Sequence, residues 1–129
     1  MERKPTYIRR RLNSFGYALQ GMASAFRSEE NLQWHVLSAV VAVAVGFFLG
    51  ISRIEWAFII FAIGLVWTAE LFNTALEVLV NLVSPGRHPL AGKVKDIAAG
   101  AVLVAAITAA LIGALVFFPY LWTLLLKSS

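Results

Sequence analysis

Residues 54–83 read IEWAFIIFAIGLVWTAELFNTALEVLVNLV, and the fold follows from this stretch. Its first half is apolar apart from Glu55 at the mouth, and its second half carries Glu70 and Glu77 within an otherwise apolar run. A helix needs roughly 20 residues to cross a hydrocarbon core of about 30 Å. The stretch is longer than that, so it spans a bilayer with a tilt or a projecting end. Leu32 to Gly50 on one side contains no Lys, Arg, Asp or Glu, and Ile97 to Leu126 on the other carries no formal charge. The segment from Leu32 lacks the small-residue cleavage pattern of a signal peptide and is expected to stay in the membrane.

Composition agrees. The chain has 129 residues, 60% of them hydrophobic and 14% charged, with no cysteine and a mean hydropathy of +0.78. A soluble domain carries about 25% charged residues, so this chain cannot clothe a water-soluble surface. Its apolar content excludes a disordered chain, and the absence of cysteine excludes a disulfide scaffold. The expectation is one all-α membrane domain over 1–129, with transmembrane helices at 32–50, 54–83 and 97–126 and an N-terminal surface helix at 6–30.

Lys and Arg set the orientation. Arg3, Lys4, Arg9, Arg10, Arg11 and Arg27 precede the first span, and Arg87, Lys93 and Lys95 lie between the second and third. Only Arg53 and Lys127 fall on the opposite side. The bias places the N-terminus and the second loop in the cytoplasm and the C-terminus outside. The net charge of +4 then marks topology and attraction to anionic lipid. Nucleic acid is not expected as a partner, because a basic patch held against a membrane leaves little room for a duplex.

Leu12, Phe15, Leu19, Met22 and Phe26 recur at helical spacing ahead of the first span, which predicts an amphipathic helix lying in the cytoplasmic interface or packed on the bundle. Trp34, Trp56 and Trp122 fall near span ends, where amphipathic rings settle. Gly46 and Gly50 form a GxxxG, and Ala101, Ala105, Ala109 and Gly113 place a small residue every fourth position of the third span. Such faces allow close helix approach in lipid. Three spans enclose little volume, so the intramembrane carboxylates are expected to be covered by neighbouring chains in an oligomer.

The informative feature is the polar face of the second span. An ionisable residue inside a membrane helix costs about 2.5 to 3.5 kcal/mol on insertion scales, so it needs a reason. Glu70, Asn73, Thr74, Glu77 and Asn81 lie along one helical stripe. At 1.5 Å per residue from Ile54, Glu70 is about 24 Å deep and Glu77 about 10 Å further, at the cytoplasmic headgroups. Glu29 and Glu30 just before the first span, and Lys95 and Asp96 just before the third, converge on the same interface. A transporter needs polar groups reaching both surfaces, and the outer half has only Glu55. A structural role explains one buried carboxylate but not a cluster of them with a lysine.

The cluster has the parts for phosphoryl transfer from a cytoplasmic nucleotide to a lipid hydroxyl. Hard oxygen donors such as Glu29 and Glu77 suit Mg²⁺, which takes one or two carboxylates plus substrate phosphates. A deeper, desolvated carboxylate suits a general base, and Lys95 can meet phosphate oxygens. The usual nucleotide motifs are missing. Gly86-Arg87-His88-Pro89-Leu90-Ala91-Gly92-Lys93 has one residue too many between its glycines for a P-loop, and Val94 stands where Ser or Thr should hold the metal. The protein-kinase signatures are absent as well.

AELFNTALEVLVN (69–81), HPLAGKVKDIAAGAVLVAA (88–106) and SEENLQWH (28–35) together resemble the signature of the small bacterial integral-membrane lipid kinases, the diacylglycerol kinase and undecaprenol kinase family. The resemblance covers nearly the whole chain. It implies a homotrimer of three-span chains in the bacterial cytoplasmic (inner) membrane, with active sites shared between subunits and ATP and Mg²⁺ as donor and cofactor. It implies that Glu70 is the general base at the lipid hydroxyl, with Asn73 its polar neighbour, and that Glu29 and Glu77 hold the magnesium of Mg-ATP. Lys95 and Asp96 resemble nucleotide contacts, as do Arg10 and Tyr17 on the surface helix and the loop Gly86, Arg87 and His88. Asn81 departs from the aspartate common in the family, and Gly86 and Arg87 depart from the acidic-aromatic pair of the diacylglycerol kinases. SEENLQWH, HPLA and KDIAAGA look closer to the undecaprenol kinases, which makes undecaprenol the expected acceptor and diacylglycerol the alternative.

Overall fold

The computed structural model describes the backbone of residues 7–128 and the side chains of residues 11–127. Four α-helices follow in order: α1 (Tyr7–Ser28), α2 (Glu30–Leu49), α3 (Arg53–Val83) and α4 (Pro89–Ser128). The last three are long and apolar enough to cross a membrane. The fold is an all-α bundle of three membrane-length helices and one additional helix. The closest helix pairing is α3 on α4.

The amphipathic reading of α1 matches its surface. Leu12, Phe15 and Leu19 are exposed, and Ala25 is its buried residue. α1 runs almost directly into α2, interrupted only at Glu29, whose backbone is extended. The Gln33 side-chain amide donates to the Phe26 carbonyl at 3.0 Å and closes the end of α1 across this joint.

α2 ends in a Schellman turn. Gly50 takes the left-handed conformation at φ 64°, and the Ile51 and Gly50 N–H groups donate to the carbonyls of Gly46 and Phe47. α3 then starts on a capping box in which Ser52 and Glu55 exchange side-chain and backbone hydrogen bonds. These two motifs reassign the GxxxG. Gly50 terminates the helix, and Gly46 admits the Trp56 ring of α3 in the close approach that a small residue allows.

The second connection is shorter than the apolar pattern implied. α4 begins at Pro89, eight residues before Ile97, so Lys93, Lys95 and Asp96 stand on its first turns. Pro89 occupies the first helical position, where its missing N–H costs nothing, and His88 Nδ1 accepts from the Leu90 N–H at 3.2 Å. At 1.5 Å per residue α4 is about 60 Å long, twice a hydrocarbon core, and its polar start projects beyond one face.

A buried cluster of Ile51, Ile59 and Val116, flanked by Trp56, Ile63 and Phe117, forms the densest core. It lies toward the α2–α3 turn. There the Tyr120 hydroxyl donates to Glu55 Oε2 at 2.7 Å and ties α4 to the start of α3. The carboxylate-bearing half of α3 is at the other end of the bundle.

Candidate active site

The buried stripe of α3 runs Ile59, Ala62, Val66, Glu70, Thr74. The spacing that turns Ile59 and Val66 into the bundle therefore turns Glu70 inward too, and its residue surface is only 2% exposed. Asn73 and Glu77, one position round the helix, are half-buried, and Asn81 is exposed. The polar stripe thus divides into an inward carboxylate and a more exposed edge.

His35 supplies the polar neighbour of Glu70, with Nε2 3.1 Å from Glu70 Oε1. In the sequence His35 stands out only as the end of the stretch 28–35. The signal was present in α2, where Leu32, His35, Ala39, Ala42 and Gly46 recur at three and four and form its inward stripe. Buried polar atoms without a partner cluster here: Trp67 Nε1, Glu70 Oε1, Asn73 Oδ1 and Thr74 Oγ1. Glu70 Oε1 is among them because the His35 contact, though short, is not aligned as a hydrogen bond. Buried polar groups are normally paired, so this concentration singles out α3 from Trp67 to Thr74.

Glu29 and Glu77 lie close enough to Glu70 for their charges to act on it. Glu29, at the α1–α2 joint, has Oε1 3.0 Å from the Ser28 hydroxyl. Asn73 Nδ2 donates to Glu77 Oε1 at 3.1 Å, which fixes that carboxylate and leaves Asn73 Oδ1 as a buried oxygen beside it.

Among the described residues no group of three or more His, Cys, Asp or Glu side chains forms a metal cage. The donor set is nonetheless of the kind Mg²⁺ takes: two hard carboxylates, one pinned by an amide, with the remaining positions open to water and phosphate oxygens.

The nucleotide-side residues fall into a second locale. Gly86, Arg87, His88 and Lys95 line a hollow of about 600 Å³ where α3 ends and α4 begins. Lys95 Nζ donates to Asn81 Oδ1 at 2.7 Å across it. An amide there holds the lysine without neutralising it, as an aspartate would, and the hollow keeps its positive charge. Asp96 is exposed beside it. Tyr17 is 68% exposed on α1, and the side chain of Arg10 lies outside the described residues.

A smaller cavity, of about 310 Å³, lies between α2, α3 and α4 and has His35 and Trp67 in its wall. Ala106, Ala109, Ala110 and Gly113 form its α4 side, so the small-residue face of that helix borders open space as well as a neighbour.

Comparison with known proteins now becomes informative. The profile of the prokaryotic diacylglycerol kinase family matches residues 16–117. The chain is 41% identical over 114 residues to an undecaprenol kinase of Bacillus subtilis, covering 88% of this chain and 93% of that protein. It is 42% identical over 100 residues to a diacylglycerol kinase of Pseudomonas aeruginosa, covering 78% and 81%. A diacylglycerol kinase of Haemophilus influenzae is 34% identical over 116 residues, covering 89% and 98%. These identities do not separate the two kinds of relative, so the expected closer tie to undecaprenol kinases finds no support in them. Matching that profile from Gly16 to Phe117, the chain belongs to the prokaryotic diacylglycerol kinase family and is a membrane lipid kinase.

Proposed function

We propose that the chain transfers the γ-phosphoryl group of Mg-ATP to the hydroxyl of undecaprenol at the cytoplasmic interface, giving undecaprenyl phosphate and ADP. The observation that carries the reading is Glu70, a carboxylate buried at membrane depth with the charges of Glu29 and Glu77 bearing on it. A desolvated carboxylate is of use where a proton must be taken from an alcohol.

In this mechanism Glu70 accepts the hydroxyl proton as the lipid oxygen forms its bond to the γ-phosphorus. The bond from that phosphorus to the β–γ bridging oxygen breaks, and ADP leaves. Asn73 holds Glu77 in place, and Glu77 with Glu29 orients the metal–nucleotide complex. Glu29 and Glu77 would hold Mg²⁺, which would supply charge to offset that developing on the transferred phosphate. Lys95 exchanges Asn81 for a phosphate oxygen. Arg87 and His88 from the α3–α4 loop, Gly86 through its backbone, and Asp96, Tyr17 and Arg10 complete the nucleotide contacts. The unpaired polar atoms of α3 are met by substrate and by neighbouring chains in a homotrimer with shared sites. The N-terminus is cytoplasmic and the C-terminus outside.

Undecaprenol is favoured by the stretches 28–35, 88–91 and 95–101; the apolar cavity beside His35 suits the hydrocarbon of either lipid. Diacylglycerol is the second reading, favoured by the identity to the Pseudomonas aeruginosa enzyme. The test is purified protein in lipid with labelled ATP and a Mg²⁺ titration, given each alcohol separately. Mg²⁺-dependent label in undecaprenol is the expected result. Label in diacylglycerol alone would replace the acceptor, and label in neither would remove the proposal.

A further inference from the structure

Glu70 needs more than burial to act. A carboxylate accepts a proton usefully only if it is held with one oxygen toward the substrate hydroxyl. Its surroundings offer few means of doing so. Ala106, Ala109 and Gly113 of α4, which wall the adjacent cavity, have no side-chain donor. Asn73 Nδ2 is engaged with Glu77. Trp67 Nε1 and Thr74 Oγ1 are buried nearby without a partner, and His35 Nε2 is the donor that reaches the carboxylate, 3.1 Å from Glu70 Oε1.

The two side chains are exposed to different extents. The Glu70 side chain is 3% exposed and that of His35 27%, with the imidazole in the cavity wall. His35 therefore stands between the buried carboxylate and open space. The contact is short but not yet aligned as a hydrogen bond. Catalytic hydrogen bonds are often of this kind without substrate and tighten when it binds.

We propose that His35 is a positioning residue for the transfer: its Nε2–H fixes Glu70 Oε1 and leaves the second carboxylate oxygen for the lipid hydroxyl. The proposal rests on the reading of Glu70 as the base. It assigns the one His side chain of the membrane helices a part in turnover rather than in anchoring. His35 touches neither nucleotide nor metal in this scheme, so its removal should act on the chemical step alone.

The experiment compares His35→Ala, His35→Gln and Glu70→Gln in the full chain, measuring kcat and KM for Mg-ATP and the thermal midpoint in one detergent. A glutamine places an amide N–H near the position of Nε2 and cannot titrate. His35→Ala should lower kcat by about tenfold or more, a part of what a general base supplies, with KM for Mg-ATP unchanged. His35→Gln should recover most of that loss. Wild-type kcat in His35→Ala would overturn the proposal, as would His35→Gln performing no better than His35→Ala. A loss of kcat that merely follows a lowered midpoint would also overturn it, by making the contact structural. Full activity in Glu70→Gln would instead strike the base itself, which separates the two failures.

Discussion

Replacing Glu70 by Gln is the most incisive perturbation of the site. The amide has nearly the shape and volume of the carboxylate, so a position only 2% exposed is neither emptied nor overfilled. The substitution also removes an ionisable group from a membrane helix, which relieves an insertion cost. Folding should therefore survive. Chemistry should not, because an amide cannot take the proton. A positioned general base contributes about 10²- to 10⁴-fold, or about 2.7 to 5.4 kcal/mol at 1.36 kcal/mol per decade. The assay is the initial rate of lipid phosphorylation in mixed micelles, with kcat and KM for Mg-ATP measured separately. The expected result is a fall in kcat of about that size with KM for Mg-ATP little changed, since Glu29 and Glu77 keep their charges. A kcat within about tenfold of the parent would refute the assignment of the base.

Glu77→Gln should act on the other axis. It keeps the hydrogen-bonding partner of Asn73 Nδ2 but weakens the metal donor, so the Mg²⁺ needed for half-maximal rate should rise; an unchanged Mg²⁺ titration counts against the ligand role. Gly46→Ala puts a Cβ 2.8 Å from Trp56 Cη2 and 3.1 Å from Ile51 Cδ1. The Trp56 ring is held against Phe47 at 4.8 Å and cannot swing away freely, so about 1–3 kcal/mol of overpacking is expected as a lowered thermal midpoint with kcat preserved. An unmoved midpoint would show that Trp56 gives way. Tyr120→Phe removes the 2.7 Å hydrogen bond to Glu55 while the Ser52 N–H still satisfies the same carboxylate oxygen. The midpoint should fall slightly and turnover should hold, and lost turnover would connect this end of the bundle to the site.

Much of the bundle was legible because membrane helices announce themselves by length and charge. Residues 32–50 and 54–83 fall within or along α2 and α3, and the apolar stripe from Leu12 to Phe26 lies within α1. The start of α4 was not legible in the same way. The polar run from Pro89 to Asp96 interrupts the hydropathy signal, and the helix is continued through it by Pro89 and the His88 cap instead. The GxxxG misled for a similar reason: a spacing of four does not distinguish a packing face from a Schellman glycine, and Gly50 is the latter. In the site, spacing grouped Glu70 with Asn73 and Glu77 on one stripe. Separating an inward Glu70 from an edge Glu77 required the position of α3 against its neighbours. His35 and the role of Asn81 toward Lys95 were hidden because both contacts cross between helices, at sequence separations that no periodicity within one helix reports.

The central claim is the transfer of phosphate to a polyprenol, and competition measures it most directly. Undecaprenol and diacylglycerol at equal mole fraction in one bilayer, given limiting labelled Mg-ATP and the purified chain, divide the label according to their kcat/KM. Undecaprenyl phosphate as the dominant product is the result predicted here. Phosphatidic acid as the dominant product would contradict it.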